Sequence, residues 1–155
     1  MKRCGSACTL HPGDVVFGQR GDCLDTLLGS CIAVVLTDPR RTVGVMCHIV
    51  HTGQASRGAC ASGTYGEVAL DMMFERLRAR CIDPRQCDAY VYGGGNMFPN
   101  QPCECHVGER NANWVLDELA HQGIKVVLQD LGGSAYRRLS WTVGPDVPKV
   151  VAVRV

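Results

Sequence analysis

The sequence predicts an α+β fold on three observations. Two continuous apolar, β-branched runs are separated by a five-residue connector, two longer segments carry apolar residues at helical spacing, and the element order is not a regular βαβ alternation. The 155 residues, free of repeats and low-complexity segments, are expected to form one domain spanning 1–155, with 1–12 flexible. A domain near that size buries roughly 70% of the surface its unfolded chain exposes, so a full core forms without staples.

The first strand is expected from Asp14 to Phe17. Cys31 to Thr37 (CIAVVLT), bounded by Gly29-Ser30 and Asp38-Pro39, reads as a buried strand, and Val43 to Val50 (VGVMCHIV) as a second. The connector Asp38 to Thr42, with Pro39 setting the turn, makes the two an antiparallel hairpin. A helix follows over Thr64 to Arg80, where Tyr65, Val68, Ala69, Met72 and Leu77 recur at helical spacing and Thr64 with Glu67 makes a capping box. Ala89 to Tyr92 is the next strand. The second helix, Glu109 to Gln122, carries the stripe Ala112, Val115, Leu116 and Leu119 and stops at Gly123. Strands over Lys125 to Gln129, Arg138 to Val143 and Lys149 to Val153 complete the chain.

Composition narrows the function. Sixteen Lys and Arg against fifteen Asp and Glu leave a net charge of +1, too weak a field to gather nucleic acid or an anionic membrane. No apolar run approaches the roughly 20 residues of a membrane span, and Met1 to Leu10 lack the apolar stretch of a signal peptide, so the expected location is the cytoplasm. Ten cysteines, at 4, 8, 23, 31, 47, 60, 81, 87, 103 and 105, stand out. A disulfide framework belongs to exported chains. Only Cys4-x3-Cys8-x2-His11 and Cys103-x-Cys105-His106 approach metal-ligand spacing, the first near the terminus and the second too close-set for one tetrahedral ion, so no metal and no cofactor are expected. A zinc-binding structural module is the rival reading these surplus thiols raise.

Nucleophilic chemistry points instead to Cys31. Thr26-Leu27-Leu28-Gly29-Ser30-Cys31 ends in a glycine-containing turn that feeds a buried strand, so the thiol is positioned; Gly29 allows close backbone approach, and N–H groups near Ser30 and Cys31 can hold a developing oxyanion. The plain alternative is a core cysteine at a strand start. His48 lies inside the next apolar strand, where an imidazole needs a polar partner. Facing Cys31 across the hairpin, it would activate the thiol; satisfied by a backbone carbonyl, it would be a core histidine. Cys47 points away from His48 by strand alternation, and His51 is expected at the surface. Gly93-Gly94-Gly95-Asn96 lacks the spacing of a nucleotide-binding loop and reads as a tight turn against another backbone, as does Gly132-Gly133.

The motifs together resemble the CheD chemoreceptor glutamine deamidases. The resemblance runs through Thr26 to Cys31, Val34 to Pro39, Gly44-Val45-Met46-Cys47-His48, the helix from Tyr65, Gly93 to Phe98, Gly108-Glu109-Arg110-Asn111, and Asp130-Leu131-Gly132-Gly133 with Arg137. It implies a three-layered α/β/β fold similar to the catalytic domain of cytotoxic necrotizing factor. It also implies a Cys31 nucleophile, a His48 base and an assisting threonine five or six residues before the cysteine. Those two positions hold Thr26 and Asp25, and Thr26 is the match. The implied substrates are glutamines on the cytoplasmic helices of methyl-accepting chemotaxis receptors, and the implied partner is a CheC-like phosphatase. A receptor-binding adaptation protein with dispensable catalysis is the alternative. The chain departs from the family pattern after His48, where Ile49-Val50-His51-Thr52-Gly53-Gln54 and an Ala/Ser/Gly-rich stretch replace an apolar pair and proline, and at Cys81, where a helix-ending glycine is common.

Overall fold

The computed structural model describes residues 5–52, 62–100 and 106–153. Nine strands and two helices follow one another as β1 (Ala7–Thr9), β2 (Val15–Gln19), β3 (Cys23–Leu28), β4 (Ile32–Thr37), β5 (Val43–Ile49), α1 (Gly66–Arg78), β6 (Asp88–Gly93), α2 (Val107–His121), β7 (Lys125–Leu131), β8 (Tyr136–Thr142) and β9 (Lys149–Val153). The class is α+β, with two mixed sheets. A five-stranded sheet runs β2-β5-β4-β6-β7 and a four-stranded sheet β1-β3-β8-β9. Only β6/β7 and β1/β3 pair in parallel.

Strand alternation divides the core in two. In β4, Ile32, Val34 and Leu36 join Ala69, Leu70, Met73, Phe74 and Leu77 of α1 and Val115 and Leu119 of α2. Ala33 and Val35 turn the other way and meet Leu24, Leu28, Leu139 and Trp141 of the four-stranded sheet. The helices therefore cover one face of the five-stranded sheet and the second sheet covers the other. This explains why β4 and β5 are apolar throughout: both of their faces are buried. The hairpin between them is anchored by Asp38, whose carboxylate accepts from the Thr42 and Val43 amides at 2.8 and 3.0 Å and from the Thr42 hydroxyl at 2.6 Å.

Within 1–12, Ala7–Thr9 form β1 against β3 and Leu10 is buried, its amide donating to Asp25 O. Residues 1–4 lie outside the described range. The capping box does not form: α1 begins at Gly66 with Tyr65 at the N-cap and no side-chain cap. Thr64 is tied to the end of β5 instead, its carbonyl accepting from Val50 and His51 and its hydroxyl bonding Ser62. The face α1 buries uses Leu70, Met73 and Phe74 rather than Val68 and Met72. β3, over Cys23–Leu28, is a strand that the sequence patterns above do not predict. Leu24, Thr26 and Leu28 point inward, but Leu27 is 49% exposed on the outer face and blurs the alternation.

Candidate active site

The chain leaves the four-stranded sheet at Leu28, crosses Gly29-Ser30, and enters the five-stranded sheet at Ile32. Cys31 sits at that change of sheet, half-buried and packed against the inter-sheet core. Backbone contacts hold the corner from behind: Gly95 N–H donates to Gly29 O at 2.9 Å and Gly94 N–H to Cys31 O at 3.0 Å. The glycine cluster is a close backbone approach, with no phosphate geometry. Gly93 has φ +115°, and a Cβ there would overlap the Cys31 carbonyl. Gly93→Ala is accordingly expected to cost about 2 kcal/mol or more and to lower the thermal midpoint by several degrees in a melt followed by circular dichroism.

His48 is 3% exposed in β5, directly opposite Ala33 of β4. Cys31 lies two residues before Ala33 on the same face, which makes it the diagonal neighbour of His48. Cys47 faces the helices, and burial pushes its thiol up to about 12. Across the inter-sheet layer, Thr26 of β3 is 2% exposed and its Oγ1 lies 2.7 Å from His48 Nδ1 and 2.8 Å from the Leu10 carbonyl. A carbonyl only accepts, so the single hydroxyl proton goes to Leu10 O and the oxygen accepts from Nδ1–H. That assignment leaves Nε2 unprotonated, with its lone pair available as a base. Asp25 points outward, accepting from Thr9 Oγ1 at 2.7 Å.

Burial sets the resting protonation. It holds the His48 imidazole below its ordinary range, with nearby Asp14 opposing and His11 reinforcing the shift, and it pushes the Cys31 thiol up. Both shifts disfavour the charged form of the group concerned. No hydrogen bond joins Cys31 Sγ to the ring among the described residues. The amides of Ser30 and Cys31 donate to no acceptor among the described residues. A cleft lined by Ser30, Met97, Phe98, Val107 and Arg110 opens beside the turn.

Two buried polar residues around the site were given no role from sequence. Arg137 donates to Gly93 O at 3.2 Å and to Asp130 at 3.1 and 3.3 Å, tying β8 to the backbone behind Cys31. Asn111 lies on the buried stripe of α2, and a polar side chain at such a position is the signal that would have found it. Of the metal-spaced fragments, Cys4, Cys103 and Cys105 lie outside the described residues. His106 caps α2 by accepting from Glu109 N–H at 3.1 Å. His51 is exposed and packs on Tyr65 with ring centroids 5.2 Å apart.

Comparison with known proteins adds the family. Residues 51–145 match the family model described as CheD chemotactic sensory transduction. A Pseudomonas savastanoi pv. phaseolicola protein named "Probable chemoreceptor glutamine deamidase CheD" is 33% identical over 133 residues, covering 84% of this chain and 75% of that one. The chain belongs to the CheD family. CheD relatives from Dechloromonas aromatica and Chromobacterium violaceum, also named as probable chemoreceptor glutamine deamidases, are each 31% identical, over 86% and 90% of this chain and 80% and 74% of their own lengths. Among the described residues, no helix is long and apolar enough to cross a membrane.

Proposed function

We propose that this chain is a cysteine-dependent protein-glutamine deamidase of chemotaxis, acting in the cytoplasm on glutamine side chains in the helices of methyl-accepting chemotaxis receptors. The observation that carries the reading is the Thr26–His48 hydrogen bond in the inter-sheet layer, which turns Nε2 of His48 toward service as a base on the same face as Cys31. Family membership and the relatives' names supply the substrate. The helix, sheet and sheet order is compatible with the three layers expected from the likeness to cytotoxic necrotizing factor, and a CheC-like phosphatase is the proposed partner.

In this mechanism His48 Nε2 accepts the Cys31 proton as sulfur attacks the glutamine carboxamide carbon. The resulting oxyanion takes the Ser30 and Cys31 amides, with Gly29 allowing the close turn. Collapse breaks the C–N bond, and His48 returns its proton to the leaving nitrogen, releasing ammonia. A water, deprotonated by His48 Nε2, then attacks the thioester; the C–S bond breaks, His48 returns the proton to sulfur, and glutamate and the thiol result. Because the base starts neutral, proton transfer accompanies attack and no resting thiolate is required.

The test is incubation of a receptor cytoplasmic fragment with the protein, followed by peptide mass mapping. Conversion of a glutamine raises its peptide by about one dalton, the amide-to-acid difference of the thioester route, with release of one ammonia. Receptor binding without any mass change would favour the adaptation-protein alternative. Thr26 acts through His48 and not on substrate, so its loss is graded. Thr26→Val is expected to slow deamidation by roughly tenfold, the scale of losing one neutral hydrogen bond, and Asp25→Asn to leave the rate near wild type. The reverse order in initial-rate assays would move the orienting role to Asp25.

A further inference from the structure

Asn111 joins the two halves of the site. Its side chain is 2% exposed, and its amide nitrogen donates to Ser30 O at 3.1 Å and to Val50 O at 3.2 Å. Ser30 O belongs to the peptide that enters Cys31, and Val50 lies two residues beyond His48. The β4–β5 ladder ends at the pair Ile32 and Ile49, so its next rung would fall at Cys31 and Val50. There the Asn111 amide stands between two carbonyls, using both of its protons. Neither carbonyl can bond the other, and without a donor between them they repel. A backbone amide has one proton and cannot bridge both; a primary amide can. Its reach is fixed from behind, since Asn111 projects from the first turns of α2 beside Gly108, which packs against the backbone of Gly94 and Gly95.

We propose that Asn111 is a positioning residue that sets the distance between the Cys31 thiol and the His48 imidazole, closing the β4–β5 ladder with a side chain. This rests on the deamidase reading for its consequence on turnover but not for its effect on the thiol. Cys31 and His48 are diagonal neighbours, and proton transfer needs the sulfur within hydrogen-bond reach of Nε2. A displacement near 1 Å costs on the order of a hundredfold in rate.

The experiment compares wild type with Asn111→Asp, which has the same shape but no donor when ionised, and with Asn111→Ala. Two readouts are taken: kcat and KM on a receptor fragment, and the pH profile of Cys31 alkylation by iodoacetamide, located by mass mapping. In wild type, alkylation is expected to rise through the His48 titration and again as the thiol ionises. In both variants kcat falls by roughly ten- to a hundredfold with KM within about twofold, the lower alkylation step disappears, and circular dichroism stays native. The Asn111→Asp carboxyl, facing two carbonyl oxygens, is expected to titrate above the ordinary range, so its deficit narrows at acid pH as the protonated form regains one donor. A retained lower alkylation step, wild-type kcat, or a deficit that vanishes once activity is scaled to the folded fraction overturns the proposal. If wild type deamidates nothing, the deamidase reading fails while the alkylation profile still decides the role of Asn111.

Discussion

Cys31→Ala is expected to abolish deamidation, with a loss of roughly four to six orders of magnitude in kcat, the range found when the nucleophile of a cooperating group is removed. The fold should survive. Cys31 is half-buried, and its sulfur holds no hydrogen bond among the described residues, so alanine strands no polar partner and opens little space. A thermal midpoint within a few degrees of wild type, with no turnover, separates loss of chemistry from loss of structure. Three of the other cysteines lie in different surroundings. Cys47 and Cys87 are buried thiols whose ionisation is pushed up to about 12, and Cys23 lies on β3 with its sulfur 3.3 Å from Thr142 Oγ1. Alanine at Cys23 is expected to leave the rate unchanged.

Removal of His48 should cost about two to four orders of magnitude, the span of general base catalysis. His48→Ala also leaves the Thr26 oxygen without its Nδ1–H donor in a buried layer, so some stability is lost with the activity. The wild-type pH profile carries the sharper signature. Burial depresses the imidazole, so the neutral base persists below pH 6.5. kcat/KM should therefore rise with pH along a limb centred below 6.5, level off through neutrality, and lack that limb in His48→Ala. The linked effect on stability has the same sign. Between the folded value and the unfolded value near 6.5, the unfolded chain binds a proton that the folded chain does not, so stability falls as pH drops through that interval.

How much of this was legible in the sequence depended on whether local pattern or long-range contact placed the residue. The places of Cys31 and His48 were legible because a glycine-containing turn delivers Cys31 to the start of an apolar run, because His48 interrupts the next run with a polar ring, and because alternation separates His48 from Cys47 across the sheet. The hairpin followed from Asp38-Pro39 between two such runs. β3 was not legible as a strand: Leu27 faces outward and makes Leu24 to Leu28 read as a mixed segment, though Thr26 owes its inward direction to that strand. The Thr64 capping box failed for a related reason, since its backbone is claimed by the end of β5, a partner far away in sequence. Asn111 and Arg137 act through carbonyls 81 and 44 residues distant. No spacing rule encodes such contacts: both residues carry the family resemblance, and the resemblance gave neither a role.

The central claim is that Cys31 attacks the glutamine carboxamide with His48 as its base. It is tested most directly by a receptor-helix peptide that carries an electrophilic diazoketone or chloroketone in place of the target glutamine, with the modified enzyme digested and mapped by mass spectrometry. The expected result is one adduct, on Cys31, formed much more slowly in His48→Ala and blocked by excess unmodified peptide. An adduct on another cysteine, or labelling of Cys31 at the same rate with and without His48, would contradict it.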